Sequence, residues 1–221
     1  MKHINTGIHL KHKERVGSLV ALCLCLILLV GCGSSKKSKA ETLVLSVDDS
    51  KVYLNEMMYH VMLSEFRGEL YASYLGSDNY WDMEYAPGVT MREELKEIAM
   101  NDAIKYEILY TMAKNEGYEL TSEEEKDCQD KVDSILKNVP KDQLSEDGLT
   151  EDILMGIQRK IAICTRYYND YVTTLGVASD ATVEEKAKAF DTAFESLKEQ
   201  HVISIESSIW DKVKIGEKKV S

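Results

Sequence analysis

The chain has 221 residues, of which 44% are apolar and 29% charged, and its formal net charge is −11. An acidic balance of this size disfavours nucleic acid and anionic lipid headgroups as partners, and the length suffices for one sizeable core or two small ones.

Lys2, Lys11, Lys13 and Arg15 precede an uninterrupted apolar run from Val20 to Val30, after which Leu29-Val30-Gly31-Cys32 places a cysteine behind a small residue. A membrane span needs about 20 apolar residues, and this run is roughly half that before Gly31-Cys32-Gly33-Ser34-Ser35-Lys36-Lys37 breaks it. The pattern resembles a lipoprotein signal, which implies cleavage before Cys32, a diacylglyceryl thioether on its sulfur and a further acyl chain on its new amino terminus. Two or more chains, at about 0.8 kcal/mol per buried CH₂, give stable anchoring. The domain plan is a signal at 1–31, a lipidated flexible tether at 32–42 and a folded domain at 43–221. Cys23 and Cys25 leave with the signal, and the protein is expected on the outer face of a bacterial cytoplasmic membrane.

Leu43 to Val47 reads as a strand, Asp48-Asp49-Ser50 as a tight turn and Lys51-Val52-Tyr53 as a return strand. From Asn55 the apolar period becomes helical through Met57, Met58, Val61, Met62, Phe66, Leu70 and Tyr74, up to Gly76. An aromatic loop follows, containing Tyr80, Trp81, Met83 and Tyr85. Thr90 with Glu93 forms a capping box for a helix reaching toward Gly117, and Thr121 with Glu124 opens another that runs to about Asn138, before Pro140. After a polar loop around Asp147-Gly148, Thr150 caps a long helix ending near Gly176. Thr182 with Glu185 opens the last helix, and His201 to Ile205 alternates as a strand. The residues past Gly216 read as a frayed end. The expected fold is mainly α: an elongated bundle of about five helices with a small hairpin after the tether and a short carboxyl-terminal strand returning to it.

Cys128 and Cys164 lie on apolar helical stripes, which favours small core hydrophobes over a mutual disulfide, and both over metal or redox chemistry. His60 and His201 read as structural histidines. No nucleophile constellation, carboxylate pair, phosphate loop or dinucleotide fingerprint is present, so no catalytic, metal or cofactor residue is assigned and an enzyme is not expected.

The hairpin, the long helix, the capped second helix, Ala113-x-x-x-Gly117-x-x-Leu120-Thr121-x-x-Glu124 and Gly148-Leu149-Thr150 before a basic and apolar helix together resemble the chaperone domain of SurA/PrsA-type foldases. The similarity covers about residues 43–175, with 201–215 resembling the return to that domain. It implies a lipid-anchored holdase for unfolded or secreted polypeptides. Family members commonly insert a parvulin isomerase domain with paired active-site histidines. Here only about 45 residues follow Gly176, too few for a domain of that kind, and His60 and His201 are the histidines beyond the signal. An isomerase-lacking chaperone is therefore expected, with a structural or scaffolding lipoprotein that binds one folded partner as the alternative. Self-association stays open.

A surface that repacks around varied clients suits Met and aromatic side chains. Met58, Met62, Phe66, Tyr74, Tyr80, Trp81 and Tyr85 are the candidate peptide-binding residues. The same stripe could instead be helix-to-helix core, the reading favoured for the methionines, whereas the loop aromatics divide more evenly between core and surface.

Overall fold

The computed structural model describes residues 38–178 and 180–217. The signal, Cys32, most of the tether and the last four residues lie outside the described residues. Residues 38–221 form a compact unit of their own.

Strand β1 (Leu43–Val47) turns through Asp48, whose positive φ of 51° suits a tight turn, into β2 (Ser50–Tyr53). A bulge at Val44 lets Val44 and Leu45 both bury, where strict alternation would expose one of them. Chain order then runs α1 (Leu54–Leu75), a single 3-10 turn at Tyr80–Asp82, β3 (Glu84–Ala86), β4 (Val89–Thr90), α2 (Met91–Asn115), α3 (Ser122–Asn138), α4 (Lys141–Asp147), α5 (Glu151–Thr174), α6 (Val183–Lys198), β5 (Ile203–Ile205) and α7 (Ser207–Trp210). The fold is mainly helical, with two small antiparallel sheets. β1 is the centre of the larger sheet, in the order β2-β1-β5, with Leu45 opposite Ile205 and Val47 opposite Ile203. The carboxyl-terminal strand thus returns to the first hairpin.

Each expected cap forms. The Thr90, Thr121 and Thr182 hydroxyls accept from the backbone N–H of Glu93, Glu124 and Glu185, whose carboxylates reach back to the cap. Thr150 accepts from Ile153 N–H at 3.4 Å. Three segments differ from expectation. The stretch from Lys141 to Asp147, expected as a polar loop, is a helix, because Pro140 suits a helix entry, Gly148 closes it in the left-handed conformation, and Leu144 is buried. The aromatic loop contains the β3–β4 hairpin. The tether also orders earlier than expected: Lys39 reaches buried Asp147 at 3.4 Å, and Leu54 N–H donates to Thr42 O at 2.8 Å.

Helix α1 is enclosed on all sides in its first half. Met57 enters a core with β1, β2, α2, α5 and α6, including Ile108, Tyr167 and Phe190. Met58 enters a second with Trp81, Leu95, Val213 and Ile215, and Tyr59 a third with Val132, Leu144, Leu154 and Ile157. Successive helical residues point about 100° apart, so three consecutive side chains reach three cores.

Between these cores lies a buried charge cluster. The Lys160 ammonium of α5 pairs with Glu56 of α1 at 2.5 Å and with Glu107 of α2, and Glu107 accepts from the Ser50 hydroxyl of β2. Burial pushes the Glu56 carboxyl above its ordinary pKa against the pull of Lys160. For Lys160, burial disfavours the charge, but the two carboxylates together outweigh it and raise its pKa. Lys160→Met should cost about 3–5 kcal/mol at neutral pH because it strands two carboxylates in the interior. Urea unfolding will measure this cost, and adding Glu107→Gln should recover part of it.

Candidate functional site

The seven candidate residues divide between core and surface. Tyr80 and Trp81, 3% and 9% exposed, are buried in the second core beside Met58, while Met62 is buried in the third. These four are corrected to core positions, because a side chain enclosed on every face cannot also receive a client. Phe66, Tyr74 and Tyr85 are exposed at 59%, 85% and 56%.

Trp81 is enclosed by residues distant in sequence. Its ring lies between Gly68 of α1 and Gly216, where an added Cβ would come within 2.2 and 2.3 Å of ring atoms. Its indole N–H donates to Glu69 Oε1 at 2.9 Å. The segment after α7 straps across it: Val213 and Ile215 are buried there, Gly216 N–H donates to Glu65 Oε1 at 2.9 Å, and Arg92 donates to Ile215 O. Tyr71 stacks on Tyr80 with ring centres 6.5 Å apart and planes 14° from parallel.

Phe66 and Tyr74 belong to a longer apolar row on α1, whereas Tyr85 lies apart from it in β3. At steps of three and four, Tyr59, Met62, Phe66, Leu70 and Tyr74 follow one side of α1. The third core covers Tyr59 and Met62 and partly covers Leu63; from Phe66 onward the row is open, and Leu70 is 60% exposed. Tyr71, Leu75 and Met83 are exposed nearby in sequence. Phe66 to Tyr74 spans about 12 Å along the helix. Sequence periodicity alone could not separate the covered from the open half of this row, since both carry the same pattern.

Other chemistry-bearing groups are tied into the fold. Cys128 and Cys164 are free and buried; Cys164 donates to Tyr106 O at 3.3 Å, and burial pushes its thiol up to about 12, which leaves it protonated. His201 meets Asp48 at 2.6 Å, and this hydrogen bond, with one from Val202 N–H, holds the Asp48 carboxyl below its ordinary pKa. A cleft of about 290 Å³ between α2, α5 and α6 is lined by Tyr106, Leu109, Cys164, Tyr168 and Phe190, with Lys105 at its side turned to Asp102 at 3.1 Å. Among the described residues no cluster of His, Cys, Asp and Glu is arranged to hold a metal, and no helix is long and apolar enough to cross a membrane.

No family model matches this chain, and neither does any curated protein or solved structure. The functional reading therefore rests on residues and geometry.

His60, read as a structural histidine, is buried in α1 against Tyr106, with ring centres 5.8 Å apart, and its Nδ1 has no hydrogen-bond partner among the described residues. Burial lowers its pKa to about 4, with nearby Lys160, Arg67 and Lys105 adding to the shift and Asp102 opposing it. The unfolded chain therefore takes up a proton on this residue before the folded one does, and stability falls as pH drops from about 6.5 toward 4. Between pH 7 and 5 the loss from this group should be about 2 kcal/mol. Chemical denaturation of the protein beside His60→Gln at both pH values will measure it, and the variant should lack that share of the loss.

Proposed function

We propose that this protein is a membrane-tethered, extracytoplasmic holdase, a chaperone of the SurA/PrsA type without an isomerase domain. The observation that carries this reading is the open row Phe66, Leu70 and Tyr74, which continues a face that is core one turn earlier. Exposed apolar surface of this kind marks interaction sites. Its side chains are large, and exposed Leu75 and the flexible side chain of Met83 lie close in sequence, a composition suited to clients of varied shape. The lipid on Cys32 holds the domain at the outer face of the membrane, where emerging secreted chains are unfolded. The buried cysteines and the histidines tied into the packing support binding rather than chemistry as the activity.

Lipidation is tested at the amino terminus. Mass spectrometry of the mature protein should find Cys32 as the first residue carrying its acyl chains, and Cys32→Ser should accumulate as unprocessed precursor.

Client binding is tested on the row. Phe66→Ser, Leu70→Ser and Tyr74→Ser combined should abolish suppression of aggregation of an unfolded client. Stability should change by no more than about 0.5 kcal/mol per site, since exposed positions contribute little to folding. Retained suppression in a stable triple variant would remove this face from the proposal. A single stoichiometric folded partner, with no unfolded clients bound, would favour a scaffolding lipoprotein instead.

A further inference from the structure

We infer that the open end of α1 selects client segments that are cationic as well as apolar, with Lys or Arg beside aliphatic or aromatic residues. This rests on the holdase reading and names its substrate class. From residue 68 to residue 91, the stretch that includes Leu70, Tyr74, Met83 and Tyr85, the chain carries Glu69, Asp78, Asp82 and Glu84 and no Lys or Arg. Asp78, Asp82 and Glu84 are exposed. Glu69 and Glu84 accept from neutral donors, the Trp81 indole and Gly88 N–H, so their negative charge is not cancelled. Arg67 pairs with Asp102 at 3.2 Å, and Arg92 pairs with Asp82 at 3.3 Å, which offsets Asp82 and leaves Glu69, Asp78 and Glu84 as the acidic groups of this stretch with no ion pair among the described residues.

The helix adds to this field. α1 ends at Leu75, with Gly76 as its cap and no basic residue in its own last turn, so the helix itself supplies no cation to offset the negative end of its dipole. Negative charge around an apolar row disfavours two other occupants. A second copy of this chain would set acid against acid, and an anionic bilayer surface would do the same. A segment with apolar and cationic residues satisfies both features. The row's span of about 12 Å matches about four residues of extended chain.

The test uses residues 38–221, which form a unit of their own, and three fluorescent peptides of one length and one apolar content, bearing Lys, Gln or Glu at the remaining positions. At low salt the Lys peptide should bind about 10-fold or more tighter than the Glu peptide, and the ratio should shrink toward one at high salt as charges are screened. Asp78→Asn with Glu84→Gln should remove most of the preference without lowering Tm, and the Phe66, Leu70 and Tyr74 serine variant should lose binding of every peptide. Equal binding of all three peptides that still depends on the row overturns the charge selection and leaves the holdase reading standing. Binding of none, or binding unaffected by the serine variant, overturns both. A concentration-dependent dimer abolished by the serine variant assigns the face to a second copy and overturns the inference.

Discussion

The Lys160 ammonium between Glu56 and Glu107 fixes the rotation of α1, and much of the fold follows from that angle. With Glu56 turned to Lys160, the next three residues point to three sides, and Met57, Met58 and Tyr59 each enter a separate core. A helix apolar all round has no preferred face of its own, so hydrophobic burial alone would tolerate several rotations. A buried charge does not. An alternative rotation would leave Lys160 or a carboxylate unpaired in the interior at a cost of several kcal/mol. Ser50 extends the cluster to β2, so the hairpin, α1, α2 and α5 share one polar junction.

The ends of the described chain are held by similar long-range contacts. β5 completes the sheet against β1, Asp48 in the first turn holds both His201 and Val202 N–H, and the segment through Gly216 closes the second core over Trp81. Gly68 and Gly216 are needed there for space, since any side chain at either position would occupy the indole's place; Gly216 also has φ +70°. Neither glycine announces that role in the sequence, because the ring it makes room for comes from a different segment of the chain.

Legibility in the sequence follows the range of each interaction. Capping boxes at Thr90, Thr121 and Thr182 are local, requiring only residues three apart, and all three form. The first hairpin was legible from its apolar strand and the Asp48-Asp49-Ser50 turn, and the returning strand from alternation. The short helix at Lys141–Asp147 was obscured by its polar composition, since Leu144 is its one buried apolar side chain. Burial of Tyr80 and Trp81 was not legible, because it depends on the strap, more than a hundred residues away. The Lys160 cluster was hidden for the same reason: Glu56, Glu107 and Lys160 look like ordinary helix-surface charges until α1, α2 and α5 are brought together. For the candidate site, the row itself was legible and its cover was not.

The row opens where its covers end. On one side the third core reaches Leu63, and on another the strap fastens to Glu65 through Gly216 N–H, so Phe66 is the first residue beyond both. Burying an exposed Leu or Phe contributes roughly 1.5–3 kcal/mol, a gain the fold leaves unused at Phe66 and Leu70. Such exposure would fray an isolated helix end, but the opposite sides of α1 hold it: Gly68 packs on Trp81, Tyr71 stacks on Tyr80, and Arg67 pairs with Asp102 of α2. The helix therefore stays formed while one of its apolar sides remains in solvent. A surface preformed in this way spends little conformational entropy on ordering itself when a segment docks, so the unused burial energy is available to the encounter.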